Sequence, residues 1–158
     1  MSGLADSGDR RSAALLAILT VALGLPAVAQ QPAPIRRELG VVALSTLADP
    51  GFYGGGLYAA IRPGGNARVA VTLAAGEQAH GLAGRGELLA HFLVNPNRTR
   101  GLGLYGLGGL AGVVRHGTRG YLVLGVGVET ASGRRSGWAV EAGAGAGLRL
   151  TAGWRARW

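Results

Sequence analysis

Cysteine and lysine are both missing from this 158-residue chain, so all 16 of its basic residues are arginine. Without cysteine there can be no disulfide scaffold and no thiolate metal site. Charge is scarce as well: 15% of the residues are charged against 48% apolar, too hydrophobic a balance for a disordered tail. The apolar run from Ala13 to Pro26 falls short of the roughly 20 residues that span a bilayer as a helix, and Gly24 and Pro26 break it. No segment keeps a 3.6-residue period. The 30 glycines follow no G-X-Y repeat, which excludes collagen. They also weigh against long helices, since each interior glycine costs about 1 kcal/mol relative to alanine. Strands in a single domain are the remaining expectation.

The formal net charge of +8 raises the question of nucleic acid. The arginines are scattered singly, apart from the pairs Arg10/Arg11, Arg36/Arg37 and Arg134/Arg135, and no basic helix or aromatic-interleaved patch is present. Nucleic acid is therefore not an expected partner.

Arg10 and Arg11, the apolar run that follows, and Ala27-Val28-Ala29 read as a secretory signal peptide over residues 1–29, with small-x-small residues at the cleavage site. An uncleaved anchor is the alternative. Residues 30–35, with Pro32 and Pro34, form an extended lead-in, and the folded part spans 36–158.

From Arg36 onward, turn signals such as Asp49-Pro50-Gly51, Pro63-Gly64-Gly65-Asn66, Asn95-Pro96-Asn97 and Ser132 to Gly137 divide the chain. They leave candidate strands at 37–47, 52–62, 67–76, 82–94, 101–114, 119–130 and from 137 to the end. Every even residue from Trp138 to Trp158 is apolar, while the odd positions hold Glu141, Arg149, Arg155 and Arg157 among glycines. Those 21 residues would extend roughly 70 Å, far more than one membrane-crossing strand needs. A loop of odd length within Gly143 to Gly147 turns the chain and preserves the alternation, which makes eight strands.

A water-facing sheet surface should be rich in Lys, Glu, Thr, Ser and Asn. The polar face here is mainly Gly and Ala with single Arg, Glu, His and Tyr residues, the composition of a narrow interior in which long side chains need small neighbours. The expected fold is therefore all-β: an antiparallel up-and-down transmembrane barrel with apolar residues outside. Glu38, Arg68, Arg85, Glu87, His91, Glu129, Glu141 and Arg149 are the candidate interior polar network, in which carboxylates pair with guanidinium groups. Arg155 and Arg157 are expected in water near the end of the last strand. Phe52, Tyr53, Phe92 and Trp138 are candidate interfacial aromatics, since such rings favour the headgroup level.

The C-terminal stretch Leu148-Arg149-Leu150-Thr151-Ala152-Gly153-Trp154-Arg155-Ala156-Arg157-Trp158 resembles that of small bacterial outer-membrane β-barrels. Members of that class end on an aromatic residue of an alternating strand that the barrel-assembly machinery recognises. The resemblance implies this role for Trp154 and Trp158, although the class usually ends in Phe. It further implies Sec-type export to the bacterial outer membrane, contact with outer-membrane lipid, and a monomer with a structural envelope role or a very narrow channel. Arg98, Arg100, Arg134 and Arg135 lie in connections that face the periplasm by strand count, as solvated turns or against lipid phosphates.

Two alternatives stay open. Some barrels that this one resembles modify lipid A with a His, a Ser and an acidic partner. His91 and Glu87 share a face with Arg85, and Ser45 is the available strand nucleophile, but nothing in the sequence places it near His91. A soluble periplasmic barrel holding a small apolar ligand would need the opposite orientation of its faces. No catalytic residue, cofactor or metal site is expected, as His80 and His116 lack ligand spacing.

Overall fold

Alternation of side chains with period two is the mark of a strand with two unlike faces, and each expected segment adopts that form. The computed structural model describes residues 36–115, 117–130 and 132–158. The expected signal peptide and lead-in lie outside the described residues. Eight strands follow one another: β1 (Arg36–Leu47), β2 (Phe52–Gly64), β3 (Ala67–Gln78), β4 (Gly81–Leu93), β5 (Leu102–Val114), β6 (Thr118–Thr130), β7 (Ser136–Ala144) and β8 (Leu148–Arg157). Each pairs antiparallel with its sequence neighbour, and β8 returns to β1 to close the barrel. Closure leaves no open sheet edge.

The turn that splits the C-terminal stretch is a three-residue loop, 145–147, in which Ala146 (φ 63°) and Gly147 (φ 125°) take left-handed backbone. At 79–80 both residues of the β3–β4 turn also have positive φ (Ala79 48°, His80 62°), the pattern of a type I′ hairpin built without glycine.

The connections sort by end. At the end opposite the strand termini Arg36 and Arg157, called the upper end, they have 4, 2, 3 and 3 residues (48–51, 79–80, 115–117, 145–147). At the lower end they have 2, 8 and 5 (65–66, 94–101, 131–135).

Even residues of β1 from Glu38 onward and of β2 and β3 point inward, as do odd residues of β4 through β8. The outer surface is a belt of exposed Leu, Val and Ile, including Leu39, Leu57, Val71, Leu88, Leu104, Leu122, Leu124, Val126, Val140 and Leu150. Inside, Leu89, Leu93, Tyr105, Leu107, Ala111 and Val123 pack along β4 to β6, and Leu44, Phe52, Ala74, Ala83 and Val113 fill the upper third. Segment 102–114, both of whose faces read as apolar or Gly, sends Tyr105, Leu107, Ala111 and Val113 inward and Leu104 and Leu110 outward. Gly127, opposite Tyr105 in the register, is required for that filling, because a Cβ there would meet the Tyr105 ring.

Candidate functional site

Among the described side chains, ten ionised groups are buried inside the cylinder: Arg62, Arg68, Arg85, Arg149, Arg155 and Arg157 with Glu38, Glu87, Glu129 and Glu141. These six positive and four negative groups sum to two positive charges. An isolated ion in such a place would cost several kcal/mol, so the interior is stable only if every charge has an opposite one within reach.

The pairing is continuous and alternates in sign. In the upper half Glu87 accepts from Arg85 Nε (2.9 Å), two residues away on the same face of β4. Across the lumen it also accepts from Arg149 of β8, with Nη2 to Oε2 at 2.6 Å and Nε to Oε1 at 3.0 Å. Arg149 Nη1 donates onward to Glu141 Oε2 (3.0 Å). Glu141 is the junction between the halves, receiving Thr151 Oγ1 (3.0 Å), Tyr105 Oη (2.8 Å) and Arg155 Nη2 (2.7 Å). Below it, Glu129 Oε2 faces Arg155 Nη1 (3.4 Å), Arg68 Nη1 (2.8 Å) and Arg157 Nη2 (2.9 Å). Arg68 reaches Glu38 Oε2 (3.2 Å), and Glu38 Oε1 takes Arg62 Nε (2.9 Å). One chain of opposite charges thus runs from Arg85 to Arg62 along the barrel.

Aromatic rings hold the guanidinium planes. Arg155 lies over Tyr58 at 4.1 Å from the ring centroid, and Arg68 over Tyr105 at 4.8 Å. His91 stacks on Tyr105 (centroids 5.1 Å, planes 11° apart), and its Nδ1 accepts from Arg68 Nε and Nη2 at 3.0 and 2.8 Å. That geometry assigns the ring proton to Nε2 and makes His91 a neutral spacer beside a cation.

All eight residues expected in the interior network are therefore inside and linked to it. Two expectations fail. Arg155 and Arg157, expected in water, are only 5% and 6% exposed, because odd positions of β8 face the lumen to the strand's end and Glu129 and Glu141 receive them. Phe52, expected at the interface, is 1% exposed: it shares the inward phase of β2 with Tyr58 and Arg62 and lies under the Arg85 guanidinium. Tyr53, Phe92 and Trp138 do point outward and are exposed.

Arg62, Tyr58 and Tyr105, which are not among the expected interior residues, also line the lumen. Carrying the alternation of β2 through its glycines, from Phe52 to Arg62, would have found the first two. Ser45 sits on the outer side of β1 and His91 inside the lumen, so the Ser–His pair that lipid-modifying chemistry would need is not brought together. Among the described residues no group of three or more His, Asp or Glu side chains is placed to hold a metal.

Both mouths are shaped by loops. The upper mouth opens into adjoining cavities of about 380 and 170 Å³ that share Pro50, Gln78, Val113, Arg119 and Tyr121, with Arg85 and Phe52 lining the smaller. At the lower mouth the long β4–β5 connection is drawn across the lumen: Pro96 O accepts from Arg62 Nη1 (3.2 Å), Asn95 O from Ser132 Oγ (2.8 Å), and Arg98 O from Gly133 N (2.8 Å).

No family model and no curated protein matches the chain. Among solved structures it is similar to the N-terminal β-barrel domain of Pseudomonas aeruginosa OprF, with a TM-score of 0.59 and 13% identity over 77% of this chain and 97% of that one. At that identity the likeness is one of fold: this chain, like that domain, is a β-barrel, and here it is all-β, closed and antiparallel with eight strands.

Proposed function

We propose that this protein is an integral barrel of a bacterial outer membrane, reached by Sec-type export, with a lumen filled by side chains and a structural role in the envelope. The observation that carries the reading is the inverted distribution of polarity. Ten ionised groups lie inside and the wall outside them is Leu, Val and Ile. Water would penalise that outer belt, whereas hydrocarbon would penalise the reverse arrangement, at about 2–4 kcal/mol for an arginine at midplane. Strands of 9–13 residues match the length a tilted strand needs to cross.

The sequence-neighbour topology and the β1–β8 closure support a single chain as the working unit, since no strand edge asks for a partner. The exposed Trp154 and Trp158 at the end of an alternating strand support recognition by the barrel-assembly machinery. A soluble barrel holding an apolar ligand would need an apolar lumen, and this one is ionic along its length. No cofactor and no catalytic step belong to the reading.

The test is membrane fractionation with an alkaline carbonate wash, followed by planar-bilayer recording of the purified protein. Retention in the outer membrane with no conductance, or very small conductance, is the expected result. Release with the periplasm would reject membrane integration, and large stable steps would reject the filled lumen.

A further inference from the structure

The exposed charges of this barrel are not shared evenly between its ends. At the upper end the acids Asp49 and Glu77 stand with Arg115 and Arg119, two charges of each sign. At the lower end Arg37, Arg98, Arg100, Arg134 and Arg135 are all exposed, and among the described residues no exposed Asp or Glu side chain accompanies them. The acids near that end, Glu38 and Glu129, are buried in the lumen and engaged by its own arginines.

These arginines are contiguous. Arg37 and Trp158 are cross-strand partners through two backbone hydrogen bonds (2.9 and 3.0 Å), and both point outward. Arg135 O accepts from Arg157 N (2.6 Å), which ties the β6–β7 connection to the end of β8. Gly133 of that connection bonds Arg98 O (2.8 Å), and Arg98 Nε donates to Arg100 O (2.8 Å). The basic strip runs from β1 and β8 across the β6–β7 connection to the β4–β5 connection. Beside it on the outer wall stand Trp158, the cross-strand pair Trp138 and Trp154, and Phe92. Aromatic rings in such a position mark the headgroup level, so the arginines lie where phosphates lie.

We propose that this lower rim is a binding surface for anionic phospholipid, with lipid phosphates on the guanidinium groups and acyl chains on the apolar belt above. The proposal rests on the membrane reading and adds a lipid class to it. Guanidinium groups suit phosphate because their parallel N–H bonds match two of its oxygens. A soluble phosphate would use only the charge, whereas a phospholipid also uses the rings and the belt.

All 3 tryptophans of the chain stand at this end, which makes their fluorescence a local probe. The full-length protein is inserted into phosphatidylethanolamine vesicles containing equal fractions of brominated phosphatidylglycerol or brominated phosphatidylethanolamine. Quenching by the anionic lipid should exceed that by the zwitterionic one, with a relative association constant on the order of fivefold that falls toward unity in 1 M salt. Arg98→Gln, Arg100→Gln, Arg134→Gln and Arg135→Gln together should abolish the preference. Arg115→Gln with Arg119→Gln, at the other end, should leave it intact. Equal quenching by the two lipids in inserted protein would overturn the proposal, as would a preference that survives the fourfold variant. Absence of quenching by either lipid, with β circular dichroism retained, would instead overturn the membrane reading.

Discussion

Glu141 is the carboxylate on which the two halves of the lumen meet, and its charge can be removed almost without changing its shape. In Glu141→Gln one acceptor oxygen becomes an NH2 donor, yet the site presents four donors: Arg149 Nη1, Thr151 Oγ1, Tyr105 Oη and Arg155 Nη2. At least one donor must then face another donor, and Arg149 and Arg155 each lose a charge partner. The sum over these ten buried groups rises from two to three positive charges. Stripping a buried pair of one partner costs about 3–5 kcal/mol. Arg157→Gln brings the lumen toward neutrality, so it should cost less than Glu141→Gln. The assay is urea unfolding of the barrel in lipid vesicles, followed by tryptophan fluorescence and by heat-modifiable migration. Adding Arg155→Met to Glu141→Gln should give a loss smaller than the sum of the singles by about 1 kcal/mol or more, since the two groups are in direct contact. A Glu141→Gln protein within about 0.5 kcal/mol of the parent would refute the alternating network as the source of stability, because only surface substitutions are ordinarily so mild.

Leu124, 68% exposed in the outer belt, should resist charge: Leu124→Arg is expected to cost about 2–4 kcal/mol in bilayers, and an unchanged unfolding midpoint would mean that this face does not meet hydrocarbon. Gly127→Val should destabilise by about 1–3 kcal/mol by overfilling the lumen against Tyr105, and the double change Gly127→Val with Tyr105→Ala should recover part of the loss in the same unfolding assay. Ala79→Gly should stabilise the β3–β4 turn by about 1 kcal/mol, because it relieves a left-handed φ of 48° on an L residue; a lower unfolding midpoint would contradict the type I′ assignment. Trp158→Ala should lower the amount of assembled barrel in cells while leaving refolding of the purified protein into vesicles nearly unchanged, as measured by the ratio of heat-modifiable to unfolded protein.

Much of this architecture is legible in the residues themselves, because a strand's two faces are a local property of the backbone. The alternation from Trp138 to Trp158 implies a turn of odd length, and the three-residue loop at 145–147 is that turn. The same local rule places Glu87, Glu129, Glu141 and Arg149 inside and Leu122, Leu124 and Val126 outside. It loses its grip where glycine hides the phase, as at Gly54 and Gly56 of β2, so that the inward direction of Phe52 and Arg62 is not evident from their immediate neighbours.

What only closure of the barrel decided is the pairing across the lumen. Glu87 meets Arg149, 62 residues away, and Arg68 meets Glu129, 61 away, because the stagger of eight strands brings those levels together. Closure also sets Glu38 of β1 beside Arg157 of β8 (3.6 Å), whereas Glu129 and Glu141 reach Arg157 and Arg155 from the neighbouring strands β6 and β7. Period two tells a side chain which way to point; the circumference of the cylinder determines what it finds there.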